Sequence, residues 1–390
     1  MSYIKIIHFL ILICAVFFRL TGVRKKNGIH FFFPFYHMGG AEKVHSQIVS
    51  SIADQNPYIY IMGLSADSRY LNEFKFAGKV INFHGKLAKS KAHKYYYLAK
   101  IIAGIGDSSV VFGANTSYFY NILPFLPKTV YKIDLTHAFT DSDNIGYEIY
   151  SLAYIDFLDS RIVINEDTQR RFYSLYDKHG VDSKYHQRFK RISNYVEIPN
   201  KKPIRRINKY GLKVAYIGRG SPEKRIYLIG KIASTLNAYG FEFYFIGCNE
   251  DWVFNEDKNN CIFLGKVLTD EELANLYKSL DVVVMTSYRE GSPLALMESM
   301  SFGAIPISTN VGGIGEFIIH GSNGFLVENQ DNENEIIEDI KNTLLELSSD
   351  HYFRSNISNN CYNYAAKHFN KSTFVNNYRA LLLNKYFYFQ

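Results

Sequence analysis

Twice along this chain, short apolar runs alternate with turns and helix-periodic stretches, and the alternation restarts halfway. The first round reads "IHFFFPFY" (29–36), "YIYIMGL" (58–64), "VINFHG" (80–85), "SVVFGAN" (109–115), "TVYKIDL" (129–135) and "SRIVIN" (160–165). The second reads "LKVAYIG" (212–218), "FEFYFIG" (241–247), "NCIFLGKV" (260–267), "DVVVMTS" (281–287), "AIPIST" (304–309) and "GFLVE" (324–328). Most of these runs are apolar along their length, as in strands of a parallel sheet covered on both faces. Residues 196–212, with "VEIPNKKPIRRINKYG", are rich in Pro, Lys, Arg and Asn and read as a linker. A chain of 390 residues is also too long for one ordinary core. The expected fold class is α/β, with two doubly wound Rossmann-like domains facing each other across a cleft. The expected boundaries are 1–26 for an N-terminal segment, 27–195, linker 196–212, 213–370, and 371–390 for a helix packing back on the first domain. In such sheets ligands bind at the carboxyl ends of strands, so each strand-to-helix turn is a candidate site.

Composition excludes several classes. None of Cys14, Cys248, Cys261 and Cys361 forms a CxxC pair, which argues against a zinc site and a disulfide framework and for a reducing cytoplasm. The net charge of +7 is mild but unevenly spread. "HGKLAKSKAHKYYYLAK" (84–100) interleaves five lysines with Tyr95, Tyr96 and Tyr97. That mixture suits nucleic acid or an anionic membrane surface; beside an α/β catalytic chain the membrane reading is preferred and nucleic acid is not expected. "IIHFLILICAVFF" (6–18), followed by Arg19, Arg24, Lys25 and Lys26, leaves three readings open: a cleaved signal peptide, a core helix, or a shallow or marginally spanning membrane anchor. As a helix it covers roughly 20 Å, short of the ~30 Å hydrocarbon core.

The chemistry concentrates in "SYREGSPLALMESMSFGAIPIST" (287–309), where Glu290 and Glu298 stand eight positions apart. The apolar strand "DVVVMTS" ends in a turn, Ser292 is the expected N-cap, Pro293 the first helical residue and Gly303 the C-terminal stop. The free amides at that helix start, around Gly291, Ser292 and Leu294, form an anion site suited to a diphosphate. Glu298, one to two turns in, can accept from a ribose diol, and Glu290 lies where the group beyond the phosphates would sit. "VAYIGRGSPEKRIYLIG" (214–230) repeats the design, with Arg219 and Lys224 expected at the same point to neutralise a departing diphosphate. "DSD" (141–143) matches an acidic metal motif but follows no apolar strand directly, and no metal or other cofactor is expected.

"REGSPLALMESMSFGAIPIST" resembles the E-x7-E signature of the group 1 (family 4) retaining glycosyltransferases with the GT-B fold, and "GRGSPEK" resembles that family's phosphate-binding turn. "NVGGIGEFIIHGSNGFLV" (310–327), with Gly312, Gly313 and Glu316, and "GGAE" (39–42) resemble further parts of it. The resemblance spans about residues 28–370 and is tightest in the second half. It implies that Glu290 contacts the donor sugar, Glu298 the ribose, and Arg219 and Lys224 the diphosphate. It also implies that Gly265, Lys266 and Val267 meet the base, that Gly39 and Gly40 form a loop near donor and acceptor, and that His137 in "IDLTHAF" lies near the donor sugar. Asn194-Tyr195 departs from the family's usual Asn-Gly, which affects the shape of the hinge-side loop.

The expected reaction is transfer of a sugar from a nucleotide diphosphate sugar, UDP favoured and GDP possible, to a glycan acceptor. Anomeric configuration is retained and no metal is needed. The expected acceptor is a lipid-linked (undecaprenyl diphosphate) oligosaccharide of O-antigen, capsule or exopolysaccharide synthesis. The chain would work at the cytoplasmic face of a bacterial inner membrane, touching it through 6–26 and 86–100. A sugar-nucleotide epimerase of the same fold and a non-catalytic sugar-nucleotide binder remain the alternatives.

Overall fold

The computed structural model describes residues 3–140, 146–203, 211–266 and 269–387, without the side chains of 3–10, 12 and 384–387. The chain divides into two units: one of residues 1–164, 168–192 and 373–390, the other of 165–167 and 193–372.

The first unit is a seven-stranded parallel sheet: β1 Ile29–Phe33, β2 Tyr58–Ile61, β3 Lys79–Asn82, β4 Val110–Ala114, β5 Tyr131–Thr136, β6 Ser160–Val163 and β7 Phe189–Arg191. The order is β3-β2-β1-β4-β5-β6-β7, and every pairing is parallel. All five residues of β1 are buried, which explains a run with no polar alternation. The strand stops at Phe33, earlier than the apolar run, because Pro34 has no N–H to continue the ladder. β7, with only Phe189 buried, lacks an apolar run and was not expected from the sequence.

The second unit repeats the winding with β8 Lys213–Ile217, β9 Glu242–Ile246, β10 Cys261–Gly265, β11 Val282–Met285, β12 Ile305–Thr309 and β13 Phe325–Val327. Its order is β10-β9-β8-β11-β12-β13, again all parallel. In both sheets the order reverses beside the first strand, between β1 and β4 and between β8 and β11. In sheets wound this way the loops on either side of that point leave toward opposite faces, and ligands bind there at the carboxyl ends of the strands.

The chain ends are built into the first unit. The N-terminal helix Tyr3–Leu20 buries Ile11, Ala15 and Phe18 in the cluster that holds Leu98, Ile101 and Ile102 of the helix Lys91–Gly104. Phe18 meets Tyr96 edge to face at 4.9 Å. Its other face leaves Ile13, Val16, Phe17 and Leu20 exposed, a second apolar stripe at helical spacing. Among the described residues no helix is long and apolar enough to cross a membrane. In the C-terminal helix Lys371–Phe387, Tyr378 is fully buried against Phe112, and Arg379 pairs with Asp54 at 2.6 Å.

Candidate functional site

The second unit gathers three strand-to-helix turns around its switch point. After β8 the chain makes the turn Gly218–Arg225 before the helix Ile226–Leu236. Gly220 lies against the indole of Trp252: a Cβ there would lie 1.9 Å from Nε1, so a larger residue would have to displace that ring. Arg225 adopts a left-handed backbone (φ 45°) and its guanidinium donates to Thr286 O (2.8 Å), while Thr286 Oγ1 donates back to Lys224 O (3.0 Å) and Arg225 O (2.9 Å). Tyr288 N donates to Glu223 O at 2.9 Å. The turns after β8 and β11 are therefore one hydrogen-bonded body. Arg225 was not singled out in the sequence; its signal was a bulky residue at the helix entry where a tight turn needs positive φ.

Lys224 and Glu290 meet across that body, Nζ to Oε1 at 2.5 Å, with side chains only 17% and 9% exposed. Ser287 Oγ donates to the same carboxylate oxygen at 2.6 Å. Arg219, from the same turn, is 76% exposed and lies 3.7 Å from Glu223. The two cations expected at one point thus rest on different acids, one enclosed and one in solvent.

The helix after β11 runs Leu294–Ser301, and its N-cap is Pro293, one residue later than expected, without a side-chain cap. Ser292 is engaged elsewhere: its Oγ accepts from Asn165 Nδ2 at 3.2 Å. The first helical amide with an acceptor is that of Leu296, to Pro293 O. The amides of Leu294 and Ala295 have no carbonyl partner among the described residues, so the positive end of the helix stays available to an anion. Gly303 closes the helix with φ 73°, as expected of a C-terminal glycine.

Glu298, on this helix, is buried and accepts from Tyr277 Oη at 2.8 Å. Burial, with the neighbouring carboxylate, pushes the Tyr277 hydroxyl well above its ordinary value, and its ring stacks on Phe302 at 5.6 Å. The tyrosine fixes the acid; nothing local in the sequence links the two, because they are 21 positions apart.

The third turn, after β12, locks the first two. Gly312 has φ 57°, and a Cβ there would lie 1.9 Å from Glu290 O, so the backbone beside Glu290 tolerates only glycine. Gly313 N donates to Gly291 O (2.9 Å), which also accepts from Asn165 Nδ2 (3.0 Å). Glu316 accepts from the amides of Glu166 (3.0 Å) and Asp167 (2.9 Å), capping the helix Glu166–Lys178. Gly265, in the expected base-binding turn, has φ 66° and its carbonyl accepts from Gly247 N at 2.7 Å. Lys266 follows it, and Val267 lies outside the described residues.

In the first unit, Gly39 is the N-cap of the helix Gly40–Ser50, with Glu42 Oε2 2.1 Å from where its Cβ would be. His137 follows β5 directly, and its Nε2 lies 2.9 Å from Nε2 of His45, a residue not foreseen as functional. Burial lowers the His137 pKa to about 4 and that of His45 well below 6.5, so both rings are neutral near pH 7. The "DSD" at 141–143 lies outside the described residues, and among the described residues no group of three His, Cys, Asp or Glu could hold a metal.

Residues 197–364 match the family model for glycosyl transferases group 1. An uncharacterized 41.2 kDa protein in the cps region of Klebsiella pneumoniae is 25% identical over 202 residues, 49% of this chain and 54% of that protein. The chain spans about half the length, or less, of the first curated relatives it matches. In fold it is similar to HepE of Anabaena, solved in complex with UDP-glucose, with a TM-score of 0.72 at 16% identity over 92% of this chain and 100% of that one. It is also similar to the lipopolysaccharide outer core galactosyltransferase WaaB, with a TM-score of 0.66 at 16% identity over 92% and 99%. Segment 197–364, which holds the E-x7-E turn, thus matches the glycosyl transferases group 1 model, and the chain as a whole has the GT-B fold.

Proposed function

We propose that this chain transfers a sugar from a nucleotide diphosphate sugar, with UDP favoured over GDP, to a glycan acceptor, retaining anomeric configuration and needing no metal. The observation that carries this is the enclosed Lys224–Glu290 pair, placed at the switch point in front of the helix Leu294–Ser301. A cation and helix amides on one side suit the diphosphate, and an acid on the other suits the sugar. Glu298, held by Tyr277, is the ribose acceptor. Gly291, Ser292 and Leu294 bring the amide edge to the phosphates, and Arg219 closes over them from solvent.

In the reaction the bond from the anomeric carbon to the diphosphate breaks while the acceptor oxygen attacks on the same face. The acceptor proton passes to the departing phosphate. Lys224 and the helix amides hold the developing negative charge, and Glu290 steadies the positive charge on the sugar ring. An incoming diphosphate gives Lys224 a second anion, which frees part of the Glu290 carboxylate for the sugar.

The acceptor we propose is a lipid-linked oligosaccharide of surface polysaccharide synthesis, at the cytoplasmic face of the bacterial inner membrane. Support comes from the cps-region relative and from the exposed stripe Ile13, Val16, Phe17 and Leu20 on the helix packed against Lys91–Gly104, a helix with exposed Lys91 and Lys100. The test is a screen of UDP-, GDP- and ADP-sugars for nucleotide release in EDTA, with and without bacterial lipid extract. Release of one nucleotide only with lipid is expected. A requirement for a divalent metal, or equal use of water-soluble acceptors, would overturn the corresponding part of the reading.

A further inference from the structure

The two imidazoles of the first unit lie Nε2 to Nε2 at 2.9 Å, which leaves room for one hydrogen between them. Two arrangements satisfy that count. If His137 donates, His45 must carry its hydrogen on Nδ1. If His45 donates, His45 Nδ1 keeps a bare lone pair and His137 carries its hydrogen on Nδ1.

The surroundings decide. His45 is fully buried, its ring lies flat on Phe33 at 4.3 Å, and its Nδ1 is buried with no hydrogen-bond partner. A buried N–H donor with nothing to accept it is the costlier orphan; buried unpaired acceptors are tolerated more often. The arrangement with His45 as donor is therefore favoured, and the half-buried His137 is left with Nδ1 as the atom it can present. The low basicity of both rings agrees with a neutral pair sharing a single hydrogen.

We infer that His45 is a positioning residue: it donates Nε2–H to His137 and holds that ring as the Nδ1–H tautomer, so that His137 offers a sugar oxygen a hydrogen-bond donor and does not act as a base. The part of this that concerns sugar rests on the proposed transferase reading; the tautomer does not. The placement also gives the helix after the glycine loop a task, since its His45 bonds the residue that follows β5. A ring held in this way meets a sugar hydroxyl oxygen without first having to exchange its proton.

The test uses the full chain labelled with 15N-histidine and a long-range 1H–15N correlation spectrum, which reads the tautomer of each ring. A His137→Gln variant identifies the His137 signals among the 12 histidines. The wild type is expected to show His137 protonated on Nδ1 and His45 on Nε2. The opposite pattern in the wild type overturns the inference without any variant having to fold. His45→Phe keeps the stack on Phe33 but removes the donor. It should turn His137 to a mixture of tautomers and lower kcat about tenfold, with donor KM little changed. His45→Gln restores a donor of similar reach and should restore the single tautomer and most of kcat. A His45→Phe protein whose His137 stays wholly Nδ1–H would overturn the positioning role. No transfer from any nucleotide sugar, with the wild-type spectrum as expected, would sink the transferase reading and leave the tautomer assignment standing.

Discussion

The two units share a winding order but place their enclosed charges differently. In the second unit the pair Lys224–Glu290 sits in turns beyond the strand ends, partly open, at 17% and 9% exposure. In the first unit the pair Arg161–Asp134 sits on neighbouring strands β6 and β5, at 2% and 0% exposure, with Tyr120 and Tyr176 completing its hydrogen bonds. A charge at the rim can trade its protein partner for a ligand. A charge in mid-sheet cannot, because no ligand reaches it, and it serves only the packing of that sheet. The same distinction separates the candidate site from the scaffold, and it can be tested from both ends.

The largest effect is expected in the sheet. Asp134→Ala leaves the Arg161 guanidinium without its carboxylate, and losing one partner of a buried pair costs about 3–5 kcal/mol. Urea titration followed by circular dichroism checks this. A loss below 1 kcal/mol would mean that Tyr176 and a cation–π contact with Phe172, 4.4 Å away, suffice for the arginine. At the rim the order of effects reverses. Glu290→Gln should leave the urea midpoint nearly unchanged and lower kcat by roughly 10²–10³-fold, as for loss of a charge that acts on the transition state. Turnover within threefold of wild type would remove Glu290 from the mechanism and make its pair with Lys224 a structural one.

This contrast also explains what could be read from the sequence. The site turns of the second unit are local: glycine, Ser-Pro and the acid spacing lie within a few residues of one another, and helix-terminus physics acts at that range. That Lys224, Glu290 and Glu298 lie in or beside one helix start, and that Gly303 ends that helix, was legible for that reason. What completes the site is non-local. Tyr277 reaches Glu298 from another helix, Arg225 spans two turns, and Gly312 is demanded by the carbonyl of Glu290. The run "TVYKIDL" read as a buried strand, but its periodicity gave no sign that Asp134 would meet Arg161 or that Lys132 would bond to the carbonyls of Pro127 and Val130. His45 escaped notice because it looks like one helix-face residue among others until β5 brings His137 against it. Ser292 was misplaced as the N-cap because its bond to Asn165 comes from 127 positions away.

Acid sharpens the comparison further. His30 is fully buried between Tyr60 and the Lys26 carbonyl, and burial lowers its pKa from 6.5 to about 4. His137 is lowered to about 4 in the same unit. The unfolded chain takes up these protons near pH 6.5 and the folded one only near pH 4. Below 6.5 the unfolded state therefore binds more protons, and stability falls with pH until it levels off near 4. His30 alone should cost about 2 kcal/mol by pH 5. Hydrogen exchange at pH 7 and 5, corrected for intrinsic rates, should show β1 and β5 opening more easily at the lower pH. Fluorescence of Trp252, the single tryptophan, reports the second unit in the same samples. Equal protection of β1 at both pH values, or restored acid resistance absent in His30→Phe, would sink this account.

The smallest effect is expected where a charge pair faces solvent. Arg379 on the C-terminal helix bonds Asp54 and the carbonyl of Ser51, but the pair is 37% and 51% exposed. The Asp54 carboxyl is held down to about 2, first by its hydrogen bond from Arg379, yet water screens such a pair and most of that preference does not become stability. Arg379→Ala should therefore cost less than about 1 kcal/mol and lose part of that cost in high salt. What holds the helix instead is Tyr378, buried against Phe112, with Phe374 beside it at 4.7 Å. Urea midpoints of Arg379→Ala in low and high sodium chloride distinguish the two supports. A salt-independent loss of 2 kcal/mol or more would assign the helix to its hydrogen bond on Ser51 O, and would place this pair with Arg161–Asp134 among the charges the scaffold cannot do without.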